Sequence, residues 1–85
     1  MKIHELKILP EYFLEVVNGN KTFEVRHNDR NFQIGDYVTL REYNIETNEY
    51  TGRQINVKIT YILDNPNYCK EGFVIFSFNV LSGVL

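Results

Sequence analysis

Four residues with ligand-binding or reactive side chains lie close together in the segment Gly19–Arg26: Lys21, Thr22, Glu24 and Arg26. An arginine guanidinium offers a planar fork that fits phosphate or carboxylate, and a flat face on which a base can stack. A lysine adds a mobile positive charge, and a carboxylate can accept a hydrogen bond from the exocyclic amine of a base. These side chains are chemically able to bind an anionic group or a base.

This segment is expected to follow a helix end and to continue as a β-strand. Because side chains alternate in a strand, Thr22, Glu24 and Arg26 would share one face, and Phe23 and Val25 would turn to the other face and hold the core. The lysine before them could turn to either side. From spacing alone, a solvated strand face with a surface Glu–Arg pair is the plainer interpretation. The position next to a helix end, where small α+β domains often place ligand contacts, favours a site.

Four further candidates lie on other predicted strands. Lys7 and Arg41 would add positive charge to the same surface. Tyr43, which shares a strand face with Arg41, could stack a base. His4 occupies an inward position of the first strand and could point toward the ligand, but a buried imidazole with a satisfied hydrogen bond is at least as common an outcome.

The length and charge of the chain limit the kinds of partner. Its 85 residues allow one domain, residues 1–85, with one modest core. Hydrophobic residues make up 44% of the chain and aromatic residues 14%, which is typical of a folded β-rich domain. The net charge of −2 argues against a large basic groove for nucleic acid. A nucleic-acid partner would therefore meet a local patch or be a small fragment such as a nucleoside.

The sequence lacks the features that mark several other classes of protein. Cys69, the single cysteine, cannot form an internal disulfide, which fits a reducing cytoplasm. We find neither the apolar region of a signal peptide nor a run of about 18 apolar residues, so we expect no membrane span. Two histidines and one cysteine without ligand spacing predict no metal site. Without a glycine-rich phosphate loop or a nucleophile motif, we expect no cofactor.

Apolar periodicity predicts one short helix and five or six strands. Besides the charged segment, strand patterns cover Ile3–Ile8, Tyr37–Tyr43, Ile55–Tyr61 and Phe73–Val80. The last of these is apolar on nearly both faces and is expected to be central. A helix of about nine residues should begin at Pro10 and stop at Gly19. Without a βαβ rhythm, this order predicts an α+β, mostly β fold: a small, mainly antiparallel β-barrel or strongly bent sheet with one or two short helices at one end.

The alternating apolar positions of these elements also predict the core. The residues expected to be buried are Phe23, Val25, Val38, Leu40, Ile55, Val57, Ile59, Val74, Phe76 and Phe78, with Leu9, Phe13 and Val16 of the helix packed against them. Phe32 and Ile34 would add two apolar anchors ahead of a turn at Gly35-Asp36.

Short motifs along the chain occur in the order known from one family, and the most specific of them is Gly19-x-Lys21-x-x-Glu24-x-Arg26. The others are His4-Glu5-Leu6-Lys7, Pro10-Glu11-Tyr12-Phe13, Phe32-x-x-Gly35-Asp36, Leu40-Arg41-Glu42-Tyr43, Tyr50-Thr51-Gly52-Arg53 and Lys70-Glu71-Gly72-Phe73. They span almost the whole chain and resemble the ASCH domain, the PUA-like β-barrel family named after activating signal cointegrator, in its small bacterial and phage branch of unknown function. The resemblance implies a barrel with a cleft beside the first helix and a role in binding RNA or a modified nucleotide.

The resemblance leaves binding and catalysis open. Some ASCH relatives are amidohydrolases that remove the acetyl group from N4-acetylcytidine, with a lysine of this strand and a threonine nucleophile. Lys21 matches that lysine, but Glu24 stands at the position of the threonine, and Thr22 is out of register with Lys21. A carboxylate could act there only as a base or to orient water. We therefore expect a binding module for RNA or a nucleotide, with a small amidohydrolase as the alternative; a protein-interaction module also fits an acidic chain of this size.

Overall fold

The computed structural model describes residues 1–82, which form a curled sheet of five strands and one short helix. In chain order these are β1 (Ile3–Ile8), α1 (Pro10–Val17), β2 (Phe23–His27), β3 (Tyr37–Asn44), β4 (Glu49–Leu63) and β5 (Phe73–Ser82). The strands are arranged in the order β1-β3-β4-β5-β2, and only β1 and β3 pair in parallel. The predicted α+β, mostly β, barrel-like fold with mainly antiparallel strands is confirmed, and β5 lies inside the sheet as expected.

The helix α1 packs against β3 and buries two side chains. Pro10 occupies its first turn, where a missing N–H costs nothing. Gly19 follows its end with a φ of +77°, a left-handed conformation that glycine adopts without strain. Phe13 and Val16 are fully buried, whereas Leu9 is only half-buried. No helix within residues 1–82 has the length and apolar character that crossing a membrane requires.

The core is the set of apolar side chains on the inner face of the curled sheet. Its buried members are Leu6, Ile8, Phe13, Val16, Phe32, Val38, Leu40, Ile55, Val57, Ile59, Val74, Phe76 and Phe78. Most of the residues predicted from alternation are confirmed here. The prediction was wrong for Phe23 and Val25, which are 44% and 52% exposed, and for Ile34, which is 59% exposed.

The short strand β2 turns its charged residues inward and its apolar residues outward. Glu24 is 5% exposed, and Arg26 is half-buried. Phe23 and Val25 stand opposite Ser77 and Ile75 of β5 on the outer face. Because β2 has two apolar and two charged positions, hydrophobicity alone does not determine which of its faces turns inward. The ion pairs that Glu24 forms inside the barrel therefore decide which face is buried.

The two edge strands of the sheet, β1 and β2, face each other across a gap that we call the seam. Arg26 Nη2 donates to the carbonyl oxygen of Lys7 at 2.6 Å, and Arg30 Nη1 donates to that of Glu5 at 2.8 Å. Both carbonyls lie on the edge of β1 that does not pair with β3. Arginine side chains thus replace a backbone ladder and satisfy edge acceptors that would otherwise be open to another strand.

The strand β4 departs from regular pairing opposite Glu42, where the segment 51–53 forms a bulge against that single residue of β3. Gly52 lies at the centre of the bulge with a φ of +95°. Thr51 Oγ1 donates to Glu42 at 2.6 Å, and Arg53 binds both carboxylate oxygens at 2.8 and 2.9 Å. The bulge therefore supplies the partners that Glu42, only 2% exposed, needs inside the barrel.

A third buried carboxylate, Asp36, ties the start of β1 to the start of β3. His4 Nε2 lies 2.8 Å from Asp36 Oδ2, and the backbone N–H groups of Lys2 and Gln33 donate to the same carboxylate at 3.1 and 3.0 Å. His4 is 6% exposed, and its ring meets that of Phe32 at 4.7 Å. Of the two interpretations that the sequence allowed for His4, the structure shows the satisfied buried imidazole.

Candidate functional site

Glu24 gathers two cations at the start of β2. Its Oε1 lies 2.8 Å from Lys21 Nζ, and its Oε2 lies 3.1 Å from Arg26 Nε. Lys21 also donates to the backbone carbonyl of Phe23 at 2.7 Å, and Arg26 reaches across the seam to Lys7. We call Lys21, Glu24 and Arg26 the Glu24 cluster. Two cations around one buried carboxylate leave this cluster with one unit of positive charge.

A cleft of about 250 Å³ opens beside the Glu24 cluster, between the end of β1, the start of α1 and β2. Its lining residues are Lys7, Ile8, Leu9, Tyr12, Glu24, Val25 and Arg26. The Lys21 ammonium lies 5.7 Å from the centre of the Tyr12 ring and 5.1 Å from that of Phe23, so aromatic surface borders the charges. The cleft lies beside the first helix, where the resemblance implied one.

Both cations of the Glu24 cluster keep part of their surface in solvent. The side chains of Lys21 and Arg26 are 16% and 24% exposed. Arg26 uses Nε and Nη2 within the protein, while its Nη1 group bonds to no other residue among those described. The cluster can thus offer charged donors to a phosphate or carbonyl oxygen, and the Glu24 carboxylate fixes the positions of those donors.

A larger cleft, of about 410 Å³, lies on another part of the surface. It is lined by Asn28, Asn31, Phe32, Gln33, Ile34, Ile62 and Asp64. Asp64 is the single ionisable residue of that lining, whereas Lys7, Glu24 and Arg26 converge on the smaller cleft. Because converging charge marks a ligand site better than volume does in so small a domain, we place the candidate site at the Glu24 cluster.

A second group of aromatic and charged side chains covers the outer face of β1, β3 and β4. The Lys7 ammonium lies 4.2 Å from the centre of the Tyr43 ring, and the Arg41 guanidinium carbon lies 3.7 Å from that of Tyr50. The two tyrosine rings meet edge to face at 5.1 Å. Arg41 Nη1 also pairs with Glu5 Oε1 at 2.7 Å. We call these five residues the outer-face cluster.

Lys7 connects the two clusters, because its carbonyl oxygen binds Arg26 and its side chain covers Tyr43. The predicted site residues that lie in these two neighbouring clusters are Lys7, Lys21, Glu24, Arg26, Arg41 and Tyr43. Thr22 is exposed at the mouth of β2. His4 does not join them, since it lies in the core with Asp36.

Several residues in or beside these clusters received no role in the sequence analysis, among them Tyr12, Tyr50 and Arg30. Tyr12 borders the cleft, and the available signal was a tyrosine on the helix directly before the charged segment. Tyr50 meets Tyr43 because the bulge in β4 shifts the register, which no sequence pattern reveals. Arg30 crosses the seam to Glu5, a contact over 25 positions that local patterns do not contain.

Comparison with known proteins places the chain in a family. The family model described as a domain of unknown function (DUF3850) matches residues 3–78, and the chain therefore belongs to this family. It is also 36% identical over 70 residues to an uncharacterized 12.9 kDa protein encoded in the GpA 3′ region of Escherichia phage P2. The matched part is 82% of this chain and 62% of the phage protein, so the chain spans less than two thirds of that relative.

Proposed function

We propose that this chain, a member of the DUF3850 family, is an RNA- or nucleotide-binding module of the ASCH, PUA-like type that acts in the cytoplasm. The ligand lies in the cleft beside α1, against Lys21, Glu24 and Arg26. The observation that carries the proposal is the buried Glu24 carboxylate, which holds two cations at the wall of a cleft. The order of the motifs supports the ASCH type, and the lone free cysteine, Cys69, supports a reducing compartment.

Stability alone does not account for this arrangement. Moving a carboxylate out of water costs on the order of several kcal/mol, which its ion pairs roughly offset, so apolar residues at the same positions would hold the strand as well. The strand β2 nonetheless turns Glu24 inward and leaves Phe23 and Val25 outside. Charges kept under these conditions beside a cleft are typical of ligand sites.

Each residue of the Glu24 cluster has a role that suits a nucleotide. Arg26 can donate to a phosphate or stack on a base, and Lys21 can neutralise a phosphate. Glu24 can accept from an exocyclic amine such as that of cytosine. Tyr12 gives the cleft an aromatic wall, and a volume of about 250 Å³ is suited to one nucleotide unit and is too small for a duplex.

An NMR titration tests the proposal. The ligands are N4-acetylcytidine, cytidine monophosphate, a short single-stranded RNA and a short RNA duplex, each added to the labelled protein while the amide resonances are followed. We expect shift changes centred on Lys21–Arg26 for the mononucleotide and the single strand, and weaker or no changes for the duplex. The pattern of shifts locates the site and ranks the ligands in one experiment.

Two variants give this titration its control. Arg26→Lys keeps the positive charge but removes the planar fork, and we expect it to weaken binding about tenfold. Lys70→Ala removes an exposed lysine away from the cleft and should leave binding unchanged. Shift changes centred on another surface, or an affinity that Arg26→Lys leaves intact, would overturn the proposal.

A further inference from the structure

We infer that the ligand is a single-stranded nucleic acid of two or more nucleotides, which leaves the cleft across Lys7 and places a neighbouring base on the outer-face cluster at Tyr50 and Arg41. This inference rests on the proposed function and extends it, because it assigns the cleft to one unit of a polymer and not to a free nucleoside. It gives the outer face of β1, β3 and β4 the role of a stacking surface.

The two clusters are continuous at Lys7. Arg26, at the cleft, donates to the Lys7 carbonyl at 2.6 Å, and the Lys7 ammonium lies 4.2 Å from the centre of the Tyr43 ring. Lys7 also stands directly opposite Arg41 in the parallel pairing of β1 and β3, one strand spacing of about 5 Å away. A phosphodiester chain that leaves the cleft therefore meets Lys7 and then Arg41 within about two strand spacings.

The outer-face cluster has the geometry of a base-stacking surface. The Arg41 guanidinium lies over Tyr50, with its central carbon 3.7 Å from the ring centre, and Tyr50 is 41% exposed. Tyr43 fixes the Tyr50 ring by an edge-to-face contact at 5.1 Å. A base can stack on the exposed side of this pair without a change in the fold, and such stacking accepts any base.

The distribution of charge favours a phosphate chain over a neutral ligand. Five of the nine lysines and arginines lie at the seam or in the two clusters: Lys7, Lys21, Arg26, Arg30 and Arg41. Three carboxylates, Glu5, Glu24 and Asp29, pair with some of these five cations. A chain with a net charge of −2 thus has a local excess of positive charge along the path described above. The Glu5–Arg41 pair is exposed, so opening it for a phosphate costs little.

The strand must be single because both contacts need unpaired bases. The cleft is too small for a base pair, and a base within a duplex cannot lay its face on Arg41 and Tyr50. The phosphates and base faces that these contacts use are common to RNA and DNA. The experiment therefore compares an RNA and a DNA of the same sequence.

A length series tests the inference. Affinities are measured by calorimetry at one salt concentration for cytidine monophosphate, a dinucleotide and a tetranucleotide, the last as RNA, as DNA and as a duplex. We expect the single-stranded tetranucleotide to bind at least about tenfold more tightly than the mononucleotide, since each stacked base adds to affinity. Tyr50→Ala should lose most of that gain and leave mononucleotide affinity unchanged.

Two further variants keep the test specific. Tyr68→Ala removes an equally aromatic side chain, 76% exposed and outside both clusters, and should leave the gain with length intact. Arg41→Lys keeps the charge and removes the planar surface, and should reduce the gain in affinity with length. A preserved amide spectrum in each variant shows that the fold is intact.

The outcomes separate this inference from the proposed function. Mononucleotide binding at the cleft with no gain from length, a gain that Tyr50→Ala retains, or equal binding of the duplex overturns the inference and leaves the proposed function standing. Oligonucleotide binding that requires Tyr50 but is indifferent to Arg26→Lys overturns the cleft as the starting point of the path, and with it the proposed function. Binding of none of the ligands overturns both.

Discussion

Glu24 links the stability of the fold to the chemistry of the cleft. The carboxylate is 5% exposed, and its two oxygens contact Lys21 at 2.8 Å and Arg26 at 3.1 Å. Arg26 in turn holds the edge of β1 through the Lys7 carbonyl. Loss of the carboxylate would leave two partly buried cations without a counter-charge and would free the side chain that crosses the seam.

We therefore expect Glu24→Ala to lower the free energy of unfolding by about 1–3 kcal/mol. Glu5→Ala is the matched control, because Glu5 also pairs with an arginine, at 2.7 Å, but is mostly exposed. Its removal should change stability by no more than about 1 kcal/mol. Urea denaturation of both variants gives the comparison. If both variants lost the same free energy of unfolding, burial of Glu24 would not strengthen its ion pairs.

The same residues bear on catalysis. Lys21 Nζ is bound to Glu24 and to the Phe23 carbonyl, and Thr22 is exposed beside them, so no free base among residues 1–82 is placed to activate the Thr22 hydroxyl. We expect at most slow release of acetate from N4-acetylcytidine and no covalent acyl-enzyme. Chromatography of the nucleoside and mass spectrometry of the intact protein measure these two quantities. Sustained turnover with an acetyl group on Thr22, abolished by Thr22→Ala, would contradict this expectation.

The types and spacing of these residues were enough to predict that Glu24 and Arg26 would share a strand face, and they left open which side Lys21 would take. Their chain separation is small, and a strand leaves few ways to arrange them. Arg30 and Tyr50 could not be placed in this way. Each reaches its partner through tertiary structure, Arg30 across the seam and Tyr50 across the β4 bulge, and no local rule contains those contacts.

At the scale of elements, the bulge in β4 has two effects on β3. On the inner face it brings Thr51 and Arg53 to the buried Glu42 carboxylate. On the outer face it restores pairing at Tyr43 and Tyr50, which sets the two rings edge to face. In this region the apolar pattern predicted a strand only over Ile55–Tyr61, and the structure extends β4 from Glu49 to Leu63. The added part of β4 is polar because Thr51 and Arg53 bind the buried Glu42 carboxylate, so the apolar pattern did not reveal a strand there.

Gly52 is the residue on which this bulge depends. With a φ of +95° it occupies a conformation that costs other residues about 1–2 kcal/mol, and a Cβ there would meet nothing within 4 Å. We expect Gly52→Ala to lower the free energy of unfolding by that amount, through backbone strain alone. Asn48→Gly, at a φ of +56° in the adjacent turn, relieves strain and should change stability by a few tenths of a kcal/mol. A loss in the second variant as large as in the first would contradict the strain argument.

The strand β2 shows where the rule of alternation is insufficient. The pattern correctly separated Phe23 and Val25 from Glu24 and Arg26, but it assigned the apolar pair to the core, and the structure exposes that pair. In longer strands several apolar residues together determine which face is buried, as Ile55, Val57 and Ile59 do in β4. In β2 the buried face follows from the ion pairs of Glu24 with Lys21 and Arg26, which a pattern of hydrophobicity does not encode.

At the scale of the whole molecule, two buried carboxylates hold the barrel together. Asp36 joins β1 to β3, and burial raises its pKa, but hydrogen bonds from His4 and from the N–H groups of Lys2 and Gln33 outweigh that effect and lower the pKa below the ordinary 3.8. Arg53 has the largest effect on Glu42 and lowers its pKa below the ordinary 4.5, against the opposing effect of burial. Both groups therefore stabilise the folded chain as anions.

The stability of the protein should fall in acid for this reason. Both carboxyls have lower pKa values in the folded chain than in the unfolded chain, so their contribution is complete above about pH 5 and is lost as the pH falls through the folded values. Urea denaturation between pH 7 and pH 3 should show this decline, and Glu42→Gln should make it shallower while lowering stability at pH 7. An equally steep decline in Glu42→Gln would show that other carboxyls control the acid limit.

The overall charge decides how binding should respond to salt. The chain has a net charge of −2, and Lys7, Lys21, Arg26 and Arg41 converge along the proposed path. We expect a slope of log affinity against log salt of about −1.5 to −3 for a single strand, which corresponds to two to four phosphates. Arg41→Ala should reduce the slope by about 0.7, and Lys70→Ala should not change it. A slope typical of a broad basic groove, or one unaltered by Arg41→Ala, would mean that the nucleic acid follows a different surface.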